Sequence, residues 1–160
     1  MIGHIFGTKQ ALGWVWAHCN AFREPNVVFE GLSATIPLFK KSSPPLTSIY
    51  LRIDNKEHLF NGLCDLFLSQ SRFEKGFWNF ETHNKNISLS GRISNTPLNT
   101  ALITYTDTDQ SHLYCYNSKR ASIELKVTEK STGNVRKFSS LNQAAFEWVT
   151  RTTPKERVLL

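Results

Sequence analysis

Alternation of apolar and polar positions dominates the chain. From Ser122 to Thr128, Ile123, Leu125 and Val127 share one face, and Ser122, Glu124, Lys126 and Thr128 share the other. Between Asn86 and Ile93, the residues Ile87, Leu89 and Ile93 alternate with polar neighbours. Ile49, Leu51 and Ile53 share a face in Leu46 to Ile53, and Ala144, Phe146 and Trp148 do so after Gln143. A period of two is the repeat of a β-strand with one face turned to a core. Turn-forming clusters separate these runs: Lys41-Ser42-Ser43-Pro44-Pro45, Asp54-Asn55-Lys56, Glu74-Lys75-Gly76, Asn95-Thr96-Pro97 and Ser131-Thr132-Gly133-Asn134. Short strands between frequent turns predict an all-β antiparallel sandwich or barrel. Leu59 to Phe73 is the one stretch where a helix competes. Leu59, Leu63, Leu66 and Phe67 fit a helical stripe, but Gly62 and the run Leu66-Phe67-Leu68 favour a buried strand, which is the expectation here. The chain shows no internal repeat. One domain is expected over 1–150, with 151–160, which holds Pro154 and alternating charges, as a frayed tail.

The most unusual strand is the first. Under period-two alternation, Trp14, Trp16, His18, Asn20 and Phe22 fall on one face and Val15, Ala17, Cys19 and Ala21 on the other. A large, aromatic, partly polar face opposite a small apolar one has two readings. It is the wall of a ligand cavity, with His18 and Asn20 giving directed hydrogen bonds. Or it is a strand packed on both sides with its polar groups satisfied internally.

Composition narrows the classes. The 160 residues are 40% hydrophobic and 20% charged, which fits a single globular domain rather than a disordered chain. Aromatics reach 12%, with 11 Phe and 4 Trp, and favour a large core or an apolar cavity. The net charge of +6 raises nucleic acid or an anionic membrane surface as partners. The basic residues form short pairs such as Lys40-Lys41 and Lys119-Arg120 rather than a stripe, so a solvated basic surface is preferred to a nucleic-acid site. The uncharged stretch from Gln10 to Phe22 is too short to span a bilayer, and no signal-peptide pattern is present. A cytoplasmic protein, with peripheral membrane contact as an option, is expected.

Cys19, Cys64 and Cys115 have no CxxC spacing or paired histidine, so no metal site is expected and the thiols read as reduced and buried. Asp107-Thr108-Asp109 lacks the glycine and closing glutamate of a calcium loop and reads as a turn. His4, His58, His83 and His112 fall in no pattern. There is no GxSxG elbow, GxGxxG loop or P-loop.

The segment Trp14-Val15-Trp16-Ala17-His18-Cys19-Asn20-Ala21-Phe22 resembles the W-x-W-x-x-C-N-x-F signature of the tocopherol cyclase family. Further motifs follow in the family's order: Lys56 to Gly62, Gly76-Phe77-Trp78, Thr96-Pro97-Leu98, Cys115-Tyr116-Asn117-Ser118 and Ala144-Ala145-Phe146-Glu147. The resemblance runs from Thr8 to about Trp148. It implies a lipocalin-like antiparallel β-barrel or open barrel of about ten strands, related to proteins with two such halves, carotenoid hydratases included. It also implies a cofactor-free reaction in which an acid protonates a prenyl alkene and a phenol oxygen closes the ring. Such chemistry needs a dry pocket, a proton donor and aromatic faces for the cation.

On this resemblance Trp14, Trp16, Asn20, Phe22 and Trp78 are ligand-binding candidates, and His18, Asp65 and Glu81 are catalytic candidates, with Glu30 a further acid that spacing does not separate from them. The partner implied is a prenylated or other hydrophobic small molecule. Family members are about twice this length, and this chain corresponds to the C-terminal half. The resemblance therefore implies a homodimer or a missing N-terminal barrel half. A non-catalytic lipid-binding barrel is the alternative, and a basic module for nucleic acid or membrane a second one.

Overall fold

Tight turns fold the alternating runs back on themselves. The structure, a computed structural model, describes residues 11–38, 41–62, 65–66, 69–107 and 109–154. Its strands are β1 (Gly13–Cys19), β2 (Val28–Thr35), β3 (Pro37–Leu38), β4 (Lys41–Ser42), β5 (Leu46–Ile53), β6 (Lys56–Phe60), β7 (Gln70–Glu74), β8 (Phe77–His83), β9 (Ile87–Ser94), β10 (Ala101–Thr106), β11 (His112–Glu129) and β12 (Val135–Thr150). Asp54 and Asn55, both at positive φ, make the two-residue turn between β5 and β6. Asn84 Oδ1 accepts from the Asn86 and Ile87 amides to close the β8–β9 turn.

Ten strands form one antiparallel sheet in the order β6-β5-β2-β1-β12-β11-β9-β8-β7, with β10 also paired to β11; β3 and β4 form a separate ribbon. The sheet is an open barrel, because its end strands β6 and β7 are not joined by a ladder. Side chains bridge the gap instead. Ser33 of β2 hydrogen-bonds Thr47 of β5 at 2.8 Å and Ser71 of β7 at 2.9 Å. At another point, Arg136 of β12 reaches the β5–β6 turn at Asp54, 2.6 Å away.

β11 runs past both β10 and β9 on the same side, pairing with β10 through residues 112–117 and with β9 through residues 122–129. Its register against β12 shifts between Ser118 and Ala121 and again before Ile123. The bulge changes the parity of the strand, so that buried Tyr116 and Ser118 on one side of it and Ala121, Ile123 and Leu125 on the other are both turned inward.

The core holds Val15, Ala17, Cys19, Phe29, Ile49, Leu51, Trp78, Phe80, Ile123, Leu125 and Phe146, among others. Its centre is aromatic: Phe29 and Phe80 stack at 5.5 Å, and Trp78 tilts against Phe80 at 4.9 Å. Glycines make room for these rings. A Cβ at Gly31 would lie 2.7 Å from the Trp78 ring, and one at Gly91 would run into the Phe80 ring. The Trp78 indole donates to Ser71 Oγ at 2.9 Å, which joins it to the hydroxyl chain through Ser33.

Two expectations are corrected. Leu59 to Phe73 is not one strand. β6 ends at Phe60, Asp65 and Leu66 are helical, and β7 begins at Gln70. Leu66 and Ser69 donate to the carbonyls of Gly62 and Asp65, closing a helical turn. The tail also does not fray from residue 151. Arg151 bonds Ala11 O, Ser111 Oγ and Asp107 Oδ2, the last at 2.7 Å, in a half-buried cluster. The rest of that segment, from 155 on, lies outside the described residues, as do Cys64, His4 and Thr8.

Candidate functional site: the outer face of β1

β1 turns its small residues inward. Val15, Ala17 and Cys19 are buried, while Trp14, Trp16 and His18 stand half-buried on the outer face. The cavity wall expected from this strand is therefore reversed. Space favours this direction, because Ala17 pairs with Gly31, where even an added Cβ would meet the Trp78 ring. β1 ends at Cys19. Asn20 is exposed beyond it, and Phe22 packs against the core, away from Trp16. Trp78 is also a correction, since it is wholly enclosed in the core and fills space that a ligand would need.

The outer face can be read off the register. Trp16 lies between Leu32 of β2 and Glu147 of β12, and His18 lies between Glu30 and Ala145. Trp16 Nε1 donates to Glu30 Oε1 at 3.4 Å, and His18 Nδ1 lies 3.9 Å from Glu30 Oε2. The Trp16 and His18 rings are nearly parallel, 9° apart, with centroids 6.3 Å apart. Asn117 of β11 donates to Glu147, and Lys119 Nζ sits 3.9 Å from Glu147 and 5.8 Å from the Trp16 ring centre. An indole face thus lies among two carboxyl groups, an imidazole and an ammonium group.

Towards β10 the same face becomes apolar. Trp14 pairs with Val149, Val149 with Cys115, and Cys115 with Ile103. Val149 and Cys115 are buried although they lie on the outside of the sheet. Burial pushes the Cys115 thiol up to about 12, and neighbouring Glu147 adds to the shift. Ile103 and Tyr105 of β10 stay exposed at 39% and 45%, while exposed Leu32 lies on the other side of β1, beside Trp16. An antiparallel sheet with a single solvated face carries polar residues there, and this part of the outer face departs from that pattern.

The catalytic candidates are not brought together. His18 lies by Glu30 on β1 and β2. Glu81 is exposed on β8, a strand that pairs with neither β1 nor β2. Asp65 belongs to the helical turn, where its carboxyl accepts from the Gly62 amide at 3.2 Å. Glu81 instead borders an open trough of about 940 Å³ on the outer side of β7, β8, β9, β11 and β12. Arg72, Arg92, Lys126 and Lys137 line it together with Glu81 and Glu124, with Lys126 opposite Lys137. The mixed signs do not make the continuous positive surface that a phosphate backbone needs. Among the described residues, no group of three or more His, Cys, Asp and Glu could hold a metal ion, and no helix is long and apolar enough to cross a membrane.

Residue spacing missed two features. The hydroxyl chain Thr47–Ser33–Ser71 comes from three separate strands and leaves no local signal. The Glu147–Asn117–Lys119 group joins β11 to β12 beside a bulge that shifts its own register.

The chain matches no family model, and no curated protein matches it. Its fold does have a solved counterpart. The chain is similar to a crystal structure at 2.00 Å resolution of a protein from Nitrosomonas europaea provisionally named AttH (NE1406), with a TM-score of 0.50 and 8% identity. The similarity covers 98% of this chain and 58% of that one, so the chain spans little more than half the length of its structural neighbour. At this identity the likeness concerns the fold, an all-β barrel architecture.

Proposed function

We propose that this chain is a binding module for a lipophilic, ring-bearing small molecule, taken on the outer face of β1 rather than inside the barrel. The observation that carries the proposal is the pair of half-exposed indoles Trp14 and Trp16 beside His18 and Glu30, while Trp78, Phe29 and Phe80 fill the interior. Indoles supply area and a π-face, and the carboxyl and imidazole groups supply directed hydrogen bonds to a hydroxyl. The tocopherol cyclase resemblance suggests a prenylated quinol as the class of ligand. Ring closure would ask for an acid in a site closed to water. The side chains of His18 and Glu30 are 34% and 51% exposed, which favours binding without turnover by this chain alone.

The test is a titration with a short-chain prenylated quinol, followed by tryptophan fluorescence and by product analysis. Saturable quenching that weakens at least about tenfold in Trp16→Ala, with no ring-closed product, is expected. Absence of saturable binding, or binding indifferent to Trp14→Ala and Trp16→Ala, removes the proposal. Ring-closed product that disappears in His18→Gln would favour a cyclase over a binder.

A further inference from the structure

The outer side of β9 begins with short residues. Its outward positions run Ser88, Ser90 and Arg92, and longer side chains stand at the facing positions of the strands on either side. Ser90 lies between Glu81 of β8 and Lys126 of β11, and Arg92 lies between Asn79 and Glu124. The trough of about 940 Å³ therefore has β9 as its floor, and its size is that of a small-molecule site. One pair in its wall goes against the usual pairing of charges. Lys126 of β11 and Lys137 of β12 are directly opposite each other, and both are exposed. Opposed like charges weaken a ladder. Of their outer neighbours on β9, β11 and β12, Glu124 alone is a carboxylate, and it also faces Arg92. Among the described residues, none of Lys126, Lys137 and Arg92 makes an ion pair.

We infer that Lys126 and Lys137 clamp a phosphate dianion, free or as the head group of a small molecule lying in this trough. A tetrahedral oxyanion between the two ammonium groups turns their repulsion into two charge-assisted contacts. A dianion matches two cations in a way that a single carboxylate does not. The hydroxyls of Ser90, opposite Lys126, and of Ser139, two residues along β12 from Lys137, stand beside the pair as donors to further oxygens. Arg92 adds a third cation at the next outward position of β9. Glu81 and Glu124 limit what else the trough accepts. A run of phosphates along it would meet both carboxyl groups, so one anionic group on a small body fits and a nucleic-acid backbone does not. The clamp uses none of Trp14, Trp16 and His18, and it stands or falls apart from the outer face of β1.

The test is an amide NMR titration of the full chain with inorganic phosphate, with phenyl phosphate and, at matched ionic strength, with sodium chloride. Saturable shifts at Ser90, Lys126 and Lys137 are expected with both phosphates and not with chloride. Equal affinities would assign the clamp to the free dianion, and tighter binding of phenyl phosphate to a head group on a larger molecule. Lys126→Met should weaken binding at least about tenfold, the loss of one charge-assisted contact. Lys41→Met removes the same charge from the exposed β3–β4 ribbon and should leave binding unchanged. Lys137→Glu should abolish binding and, at low salt, raise the urea midpoint, because an opposite-charge pair replaces a like-charge one. The raised midpoint also shows that this variant is folded. Shifts that grow without saturating, or that respond to Lys41→Met as much as to Lys126→Met, overturn the inference. So does a midpoint that stays or falls in Lys137→Glu, which would remove the repulsion that the anion is inferred to relieve.

Discussion

Trp78 and Trp16 are the same residue in opposite settings. Trp78 is sealed in the core, over Gly31, with its indole nitrogen bonded to Ser71. Trp16 stands half-exposed on the outer face, touching Glu30 and lying near Lys119. The aromatic excess therefore divides into two populations. One fills the barrel where a lipocalin-like protein would hold a ligand, and the other gives the outside of the sheet an apolar surface. Core filling is a matter of shape, and its disruption is costly. A surface indole adds little to stability and is retained at little cost if it binds something.

The largest expected effect is at Trp78. Trp78→Ala should destabilise by about 3–5 kcal/mol, measured by urea unfolding, because it empties the centre of the core. The size argument is sharper in a double-mutant cycle with Gly31. Gly31→Ala alone should destabilise by about 1–3 kcal/mol, since its new Cβ would meet the Trp78 and Phe29 rings. In the Trp78→Ala background the Trp78 contacts are gone and only the Phe29 ring, now free to shift into the space left, opposes the new Cβ, so Gly31→Ala should cost less than in the unaltered chain. Additive effects would show that the ring does not dictate the glycine.

That same fit explains how much of the fold was legible. The β class, the antiparallel turns at Asp54-Asn55 and Ser131-Thr132-Gly133-Asn134, and the inward positions Ile123, Leu125 and Val127 follow from local pattern and turn chemistry. The direction of β1 does not, because both of its faces are apolar enough to be buried. What turns Val15, Ala17 and Cys19 inward is the space left by Phe29, Trp78 and Phe80, which come from other strands. The break at Leu59 to Phe73 was hidden for a related reason: a short apolar run suits a helical turn and a strand equally. In the candidate site, Trp14, Trp16 and His18 were legible as an unusual set. Their cross-strand partners Glu30 and Glu147 were not, since pairing depends on register.

The next effect concerns the seam. Ser71→Ala removes the acceptor of the Trp78 indole and one partner of Ser33, which is wholly buried. A loss of about 1–3 kcal/mol is expected, with faster amide exchange in β7. An unchanged stability would mean that the barrel is held by its apolar filling alone and that the hydroxyl chain is incidental.

Cys115 shows that the outer face also has a dry patch, unlike the surface around Trp16. Its thiol is raised from an ordinary 9.0 to about 12. Between those values the unfolded chain has lost the proton and the folded chain keeps it, so unfolding releases protons and stability falls as pH rises. The contribution is complete below pH 9 and is lost towards pH 12, at no more than about 1.4 kcal/mol per pH unit. Cys115→Ala should flatten the alkaline slope relative to the unaltered chain. Equal slopes for the two would mean that the thiol is wetter than its burial implies.

The smallest effect on stability, and the most telling for function, is at Trp16. Its bond to Glu30 is long and exposed, and the residue is only partly buried. Trp16→Ala should change unfolding free energy by less than about 1 kcal/mol, far below the loss at Trp78. If Trp16 were instead part of a packed outer layer, the cost would rise into the range of a core truncation. That outcome would join the two tryptophans in one structural role and leave the outer face of β1 without a surplus of aromatic surface for a ligand. A small stability change combined with a large loss of quinol binding would keep them apart, because only a side chain that binds something outside the fold can matter that much to affinity and that little to folding.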